Sequence, residues 1–292
     1  MNGIIIVDKP AGWTSHDVVA KLRGALKIKR IGHGGTLDPM ATGVLPLFVG
    51  RATRASEFCE NAEKEYIAGI RLGIVTDTQD ITGKVLSTCT ASSVTADLFK
   101  ETAGRFLGAS KQLPPMYSAV RVDGKKLYKL ARSGIEVPRP ERPVFISEIE
   151  MLESGSHDFL LRVVCSKGTY IRTLCHDIGS ALGCGAAMSS LRRTKAGVYD
   201  ISMAHTLENI LSAASGNAIE KIILPVDSIF QQYPRAELND IDTKKCKNGV
   251  SCTAKDLPDG RYRFYCPEGE FLMLGETDGG NVRMVKGFYI SN

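Results

Sequence analysis

The stretch HGGTLDPMATGVLPLFVGRATR occupies residues 33–54 and decides how the rest of the chain is interpreted. Its paired glycines permit backbone conformations that other residues avoid. Asp38 precedes Pro39, which is typical of a turn closed by the Asp side chain. Spacing alone leaves two interpretations open, a structural turn or a carboxylate displayed for chemistry. A phosphate-binding loop is excluded, since both the G-x-x-x-x-G-K-[ST] pattern and the glycine spacing of a dinucleotide site are missing.

The segments around this loop predict alternating strands and helices. A capping box at 14–17 predicts a helix running to Lys27, and the spacing of Leu98, Thr102 and Phe106 predicts a helix over 95–106 with these three residues in register. Alternating residues at 66, 68, 70 and 72 predict a strand with one buried face. Further strands are predicted at 3–7, 44–49, 84–87, 144–152 and 159–165, and further helices at 51–62 and 170–182.

Residues 112–143 differ in composition from their surroundings and predict an excursion from the core. Prolines mark both ends, and Asp123-Gly124 predicts a turn. From Arg121 to Pro143 the segment holds seven Lys and Arg against three Asp and Glu, giving +4 of the chain's net +5. This concentration suits a surface that contacts phosphates, with a solvated helix face as the alternative.

The C-terminal part predicts a second, smaller domain. After Phe230 the sequence QQYPRAELND is typical of a linker, and a short helix at 243–248 is followed by β segments separated by Gly-containing turns. We therefore predict one domain over 1–230 and a β-rich domain over 231–292.

The composition is that of a globular protein, with 43% hydrophobic and 24% charged residues and a mean hydropathy of -0.06. No apolar stretch approaches the ~20 residues of a membrane span. The eight cysteines form no C-x-x-C pair, so a zinc site is not expected. No secretion signal is evident, and we expect a cytoplasmic protein.

Five separated motifs resemble those of the TruB family of tRNA pseudouridine synthases, in the order in which that family has them. The stretch HGGTLDP with the following ATG resembles its active-site motif. The other four are VDKP at 7–10, KEY at 64–66 with RLG at 71–73 and DTQD at 77–80, KGTYIRTL at 167–174, and SLRRT at 190–194. The match covers about residues 3–227.

The resemblance implies a mixed α/β (α+β) pseudouridine synthase fold, with a mainly antiparallel central sheet flanked by helices and a small β-rich C-terminal domain. It further implies isomerisation of uridine 55 in the T-loop of tRNA, after the base is flipped out of the RNA. The excursion at about 112–143 resembles a mobile thumb that grips the RNA. The C-terminal domain resembles a PUA-like RNA-binding domain only weakly, because its nine cations balance nine anions.

The resemblance also assigns roles to individual residues. Asp38 is implied as the catalytic carboxylate, either a nucleophile or a base at the ribose C2′, and Arg172 as the cation that keeps it ionised. Tyr66 is implied to stack on the uracil and to help remove the C5 proton. The substrate-binding positions are His33, Tyr170, Leu191 and Lys9, of which Leu191 closes the pocket while Lys9 and Tyr170 support it. Taken alone, each of these residues has a structural explanation in the core, a loop or the surface.

Two other functions stay open. One is an RNA-binding or RNA-folding module without catalysis, and the other is a carboxylate-dependent hydrolase, which would need a second acidic group at the cleft. Asp77 and Asp80 are near in sequence but belong to the structural run of the resembled motif. We expect tRNA as the partner, bound through its T-arm by a monomer that needs no other protein, cofactor, metal or membrane.

Overall fold

The computed structural model describes residues 1–118, 120–122 and 124–289. The helices are α1 (Ser15–Leu26), α2 (Ser56–Asn61), α3 (Ala96–Gly104), α4 (Leu127–Arg132), α5 (Ile171–Ala181), α6 (Leu207–Ser215) and α7 (Asp240–Lys247). The strands up to residue 206 are β1 (Gly3–Lys9), β2 (Ile31–His33), β3 (Thr42–Val49), β4 (Lys64–Leu72), β5 (Ile74–Thr76), β6 (Val85–Thr88), β7 (Gly108–Gln112), β8 (Arg121–Val122), β9 (Lys125–Lys126), β10 (Arg142–Ser154), β11 (Asp158–Cys165), β12 (Ala186–Ala196), β13 (Tyr199–Asp200) and β14 (His205–Thr206). The later strands are β15 (Arg235–Glu237), β16 (Cys252–Thr253), β17 (Gly260–Tyr265), β18 (Phe271–Asp278) and β19 (Asn281–Gly287). No helix in this described part is long and apolar enough to cross a membrane.

A ten-stranded sheet organises residues 1–206 in the order β14-β1-β3-β12-β4-β11-β10-β7, with β2 beside β3 and β13 beside β12. Its neighbours run antiparallel except for the pairs β1-β14 and β3-β12. The predicted mainly antiparallel sheet is therefore confirmed. The parallel pair β3-β12 matters most for the site, because it joins Thr42 and Gly43 to residues 150 positions later in the chain.

The main core lies on the face of the sheet that α1, α3 and α5 cover. The predicted buried face of β4 is confirmed, since Ala68 and Ile70 are fully buried and Tyr66 is 9% exposed. The alternation of apolar and polar residues along this strand therefore determines which of its side chains reach the site.

Two helix predictions need correction. The helix predicted over 51–62 is a 3₁₀ turn at Gly50–Ala55 followed by the short α2. In α3, Thr102 is buried as predicted, but Leu98 is 41% exposed and Phe99 is buried in its place. Phe99 stacks on Phe159 of β11 with ring centroids 4.0 Å apart. An aromatic pair of this kind stabilises more than an aliphatic contact of the same helix, so it sets the rotation of α3.

The basic excursion is an insertion between β7 and β10. These two strands pair antiparallel, and the last pair joins Gln112 to Arg142. Beyond that pair the chain forms the small hairpin β8-β9 and the helix α4. Asp123, the first residue of the predicted turn and one of the three acidic residues of the segment, lies outside the described residues. β7 itself was not predicted, because its sequence GASKQ is polar.

The C-terminal strands form a separate five-stranded sheet in the order β15-β17-β18-β19-β16. An aromatic cluster attaches this sheet to the preceding part of the chain: Phe58 and Phe230 meet edge to face at 4.9 Å, and Phe271 and Phe288 lie 5.3 Å apart beside Phe230. Arg54 also donates a hydrogen bond to the Gly287 carbonyl. The short helix predicted at 243–248 begins earlier, at Asp240, because the Asn239 side chain caps it.

Helix α1 begins at the predicted capping box. The Thr14 hydroxyl accepts from the Asp17 amide at 3.0 Å, and the Asp17 carboxylate accepts from the Thr14 amide at 2.9 Å. The same helix end supplies Ser15, whose hydroxyl accepts from the amide of Leu37 and donates to its carbonyl. The start of α1 therefore fixes the residue that precedes Asp38.

Replacing Thr14 by Ala removes the cap, and we expect the free energy of unfolding to fall by about 1 kcal/mol. Urea denaturation followed by circular dichroism measures this change. Thr90→Ala is the matched control, because Thr90 is exposed and lies away from any helix end. Equal midpoints for Thr14→Ala and wild type would show that the cap contributes nothing.

Candidate active site

Hydrogen bonds fix the loop between β2 and β3 on both sides of Asp38. Ser15 binds Leu37 as described, the Gly12 amide donates to the Pro39 carbonyl at 2.8 Å, and the Ala41 amide donates to the Asp38 carbonyl. Gly43 at the end of the loop has φ +100°, and a Cβ there would lie 2.2 Å from the Arg193 carbonyl oxygen. The sequence of this loop thus fixes the backbone that carries Asp38.

Arg172 forms a two-point ion pair with Asp38. The distances are 2.9 Å from Arg172 Nε to Asp38 Oδ2 and 3.3 Å from Nη2 to Oδ1. The Arg172 side chain is 5% exposed whereas the Asp38 side chain is 33% exposed. The guanidinium is therefore embedded in the protein, and the carboxylate keeps an open side. A carboxylate with this exposure can meet a reactant.

Arg172 reaches Asp38 from the first turn of α5. Its remaining N–H groups donate to the Thr78 carbonyl at 3.1 Å and the Tyr117 carbonyl at 2.9 Å. A guanidinium presents its donors in a rigid fork, so these partners fix its plane as well as its position. Three separate segments of the chain orient this one cation.

The Asp38 carboxyl has a pKa above its ordinary value. Burial is the main cause, because it disfavours the charged form, and the nearby carboxylate of Asp80 acts in the same direction. The cations of Arg172 and Lys9 oppose this rise. Burial therefore raises the pKa of the Asp38 carboxyl, while the Arg172 cation lowers it and so favours the ionised form.

Tyr66 and Leu191 face the same side of the sheet from adjacent strands. Tyr66 of β4 is 9% exposed and Leu191 of β12 is 8% exposed. Burial raises the pKa of Tyr66, while the Arg193 cation acts against that rise. An aromatic ring and an aliphatic side chain on neighbouring strands form an apolar surface of the kind that receives a planar group.

Lys9 lies beneath the loop and does not reach the open side of the site. It is fully buried, and its Nζ donates to the carbonyls of Pro10, Trp13 and Pro39 at 2.6–3.2 Å. Burial lowers the pKa of Lys9 to about 8. The side chain thus holds the backbone on the far side of Asp38, as a supporting group.

His33 and Tyr170 stand at the ends of elements that frame the site. His33 ends β2, and its Nδ1 finds no hydrogen-bond partner among the residues that the structure describes. Burial lowers its pKa, which favours the neutral imidazole. Tyr170 immediately precedes α5. His33 directly precedes the loop and Tyr170 lies two residues before Arg172, and their roles toward a substrate remain predictions.

Comparison with known proteins places this geometry in a family. Residues 23–171 match the model described as TruB family pseudouridylate synthase (N terminal domain), and residues 172–231 match the tRNA pseudouridylate synthase B C-terminal domain. The chain belongs to the TruB family. The resemblance inferred from the five motifs is therefore confirmed.

Members of the TruB family match over almost the whole chain. The tRNA pseudouridine synthase B of Azoarcus sp. (strain BH72) is 42% identical over 97% of this chain and 93% of its own length. That of Clostridium kluyveri is 41% identical over 99% and 100%. A solved structure, of a Cbf5-Nop10-Gar1 complex, matches with a TM-score of 0.75 at 29% identity, over 99% of this chain and 85% of that one.

Asp80 belongs to the site, although its motif in this TruB chain was interpreted as structural. It is 5% exposed, and its Oδ2 lies 3.6 Å from Arg172 Nη1. Its other oxygen accepts from the hydroxyls of Thr78 and Thr82. The spacing Thr-x-Asp-x-Thr is the sequence signal, because hydroxyls two residues on either side can satisfy a buried carboxylate.

Arg193 is a second residue that sequence reasoning missed. It is 1% exposed and donates to the carbonyls of Val44 at 2.7 Å and Gly35 at 3.2 Å, with a longer contact to Thr36. No carboxylate pairs with it within the described part of the chain. The sequence contained a signal for this, because adjacent residues on a strand point to opposite faces of the sheet, and Arg192 and Arg193 are adjacent.

The electrostatic balance at Asp38 can be tested without a substrate. In Asp80→Asn we expect the pKa of Asp38 to fall, because a carboxylate that raises it is gone and Arg172 is left to Asp38 alone. Carboxyl ¹³C NMR titration of the wild type and variant measures the shift. Asp77→Asn, an exposed residue of the same turn, should leave the pKa unchanged. A pKa that stays constant or rises in Asp80→Asn contradicts the proposed balance.

Proposed function

We propose that this chain is a tRNA pseudouridine synthase that isomerises uridine 55 in the T-loop to pseudouridine. The observation that carries the proposal is the two-point pair between Asp38 and Arg172, formed by two of the family motifs. The curated relatives that match nearly end to end are named tRNA pseudouridine synthase B, which supports tRNA as the substrate. We assign the T-arm as the region bound, by a monomer in the cytoplasm.

The reaction rearranges one nucleoside without net redox change or hydrolysis. The N1–C1′ bond breaks, the uracil turns, C5 bonds to C1′, and the C5 proton leaves and is replaced at N1. Asp38 acts at the sugar, either as a nucleophile or as a base at C2′. Arg172 keeps the carboxylate ionised in a buried site and holds its open oxygens toward the substrate.

The apolar side of the pocket receives the flipped base. Tyr66 stacks on the uracil and helps to remove the C5 proton, and the Arg193 cation partly offsets the rise that burial causes in the pKa of its hydroxyl. Leu191, on the adjacent strand, closes the apolar side of the pocket. His33 contacts the displaced nucleotide, while Lys9 and Tyr170 hold the backbone around the pocket. Each of these roles agrees with the burial of the residue concerned.

The insertion between β7 and β10 grips the RNA. Its cations Arg121, Lys125, Lys129, Arg132 and Arg142 are exposed, so they are available to phosphates. Arg139 differs, because it binds Glu136 and the Pro114 carbonyl and thereby supports the insertion from within. The exposed cations that face phosphates and the residue that stabilises the insertion internally, Arg139, are therefore different residues.

A binding module without catalysis would not need this carboxylate. Asp38 repels phosphates and is kept charged by a buried cation, which is costly for a protein that only binds RNA. A hydrolase with two acidic groups is also disfavoured. Asp80 is the second carboxylate at the site, but it is buried and engaged with two threonines and Arg172.

We further propose that residues 1–230 form the catalytic domain and 231–292 a PUA-like RNA-binding domain. Helix α7 carries three lysines in its last turn that could contact RNA. Lys245 pairs with Asp242 and Lys247 with Glu270, whereas Lys244 is exposed on the helix surface. Lys244 is therefore the best candidate of the three for a phosphate contact.

Replacing Asp38 by Asn should reduce tritium release from a C5-labelled tRNA transcript by at least about 1,000-fold, because the reacting oxygen is lost. Tritium release under single-turnover conditions measures the rate. Asp77→Asn is the control and keeps wild-type activity. A transcript with cytidine at position 55 should not be modified there. Appreciable turnover by Asp38→Asn, or release from another uridine, contradicts the assignment.

Replacing Lys244 by Glu should raise the KM for tRNA while kcat stays unchanged, and lower the slope of log Kd against log salt by about 1. The charge-retaining Lys244→Arg should behave as wild type. Truncation after Phe230 is a poorer test, because it exposes the aromatic cluster around Phe230. An unchanged KM and salt slope in Lys244→Glu would remove this residue from the RNA interface.

A further inference from the structure

The root of the insertion carries a buried amide that the proposed reaction does not yet explain. Gln112 is the last residue of β7 and pairs with Arg142, where the chain returns from the insertion. Its side chain is 5% exposed in a strand whose preceding residues are exposed. A buried amide needs hydrogen-bond partners for its donors and its acceptor. The residues that it binds therefore indicate what it stabilises.

Both hydrogen bonds of this amide go to one residue. Gln112 Oε1 accepts from the Tyr170 amide at 2.9 Å, and Gln112 Nε2 donates to the Tyr170 carbonyl at 3.3 Å. A pair of bonds to the N–H and C=O of the same residue fixes its rotation as well as its distance. Gln112 thus holds the backbone of Tyr170 at two points.

Tyr170 is the residue from which α5 starts. Its own side chain makes no capping hydrogen bond to the helix, so the start of α5 is held from outside by Gln112. Arg172 follows two residues later in the first turn. A shift of the Tyr170 backbone therefore moves the Arg172 side chain directly.

The insertion makes a second contact with the same machinery. The Tyr117 carbonyl, five residues beyond Gln112, accepts from Arg172 Nη2 at 2.9 Å. This nitrogen also faces Asp38 Oδ1 at 3.3 Å. The insertion therefore contacts both the start of α5 and the guanidinium that α5 carries.

We infer that Gln112 is a positioning residue for the proposed reaction, which links the root of the insertion to Arg172 and so sets the Arg172-Asp38 geometry. The inference rests on the proposed function. RNA that holds the insertion in place thereby also holds Arg172 against Asp38. The hydrogen bonds of the Gln112 side chain go to Tyr170 and not to Asp38, so it acts through Tyr170.

The first test separates the chemical step from binding. Gln112→Ala should lower the single-turnover rate of tritium release from C5-labelled tRNA by about 10- to 100-fold, the range expected for a small displacement of a catalytic group. The Kd for tRNA, measured by filter binding, should stay at the wild-type value. Ser110→Ala, an exposed residue two positions earlier on β7, should change neither quantity. A wild-type rate, or a loss confined to Kd, overturns the inference.

The conservative variant Gln112→Glu gives a pH-dependent rescue. A protonated carboxyl can accept from the Tyr170 amide and donate to its carbonyl, whereas the ionised form has no donor. The ratio of the variant rate to the wild-type rate should therefore fall as pH rises. The comparison is made above the Asp38 titration, where that carboxylate is ionised in both proteins, because the variant can also shift the pKa of Asp38. A ratio independent of pH contradicts the two-bond link, and this variant also serves if Gln112→Ala folds poorly.

A readout without substrate separates this inference from the proposed function. Loosening Arg172 should raise the pKa of the Asp38 carboxyl in Gln112→Ala, because the cation lowers that pKa. Carboxyl ¹³C NMR titration detects the change. If wild type releases no tritium from tRNA but this pKa rises, the proposed function fails and the link stands. An unchanged pKa overturns the link whatever the activity.

Discussion

The structure depends on one buried guanidinium that several distant segments must satisfy at once. Arg172 takes acceptors from the Asp38 loop, the Thr78 turn and the Tyr117 insertion. A buried charge without such partners is strongly destabilising, so these segments are constrained together. The sheet order, the pinned loop and the insertion root can be understood as ways of bringing acceptors to this cation. Of the two carboxylates that face Arg172, Asp38 keeps an open side and Asp80 is buried.

Two other buried cations have a different task. Lys9 and Arg193 bind backbone carbonyls of the loop instead of carboxylates. Carbonyl oxygens carry partial negative charge, so each cation stabilises a particular backbone path without an ion pair to Asp38. The two cations therefore fix the backbone of the loop from one side, while the Asp38 carboxylate stays accessible on the other. This arrangement also explains why Gly43 is required, since the Arg193 backbone leaves no space for a side chain there.

Local signals predicted much of this molecule, and long-range packing determined the rest. The capping box at Thr14 and the alternation around Tyr66 involve neighbouring residues, so the start of α1 and the buried face of β4 were predictable. Leu98 was wrong because Phe159, far away in sequence, selected Phe99 as the buried residue. The Asp38 motif was ambiguous until four other motifs accompanied it. Asp80 was assigned to a structural run because only its contact with Arg172 is long-range, whereas its threonine partners are local. Arg193 was missed because the carbonyls that it binds lie on distant segments, although the adjacent arginines were a visible signal.

The parallel contact between β3 and β12 has a consequence for synthesis. Arg193 binds the Val44 carbonyl across 149 residues, and Arg172 binds Asp38 across 134. A ribosome adds roughly 5–20 residues per second, so the loop waits about 7–30 s for these two cations to emerge. During that interval the apolar strand after the loop has no β12 beside it. Until β12 has emerged, this part of the apolar strand β3 lacks its neighbour in the sheet, and a chaperone that covers it in that interval would limit aggregation.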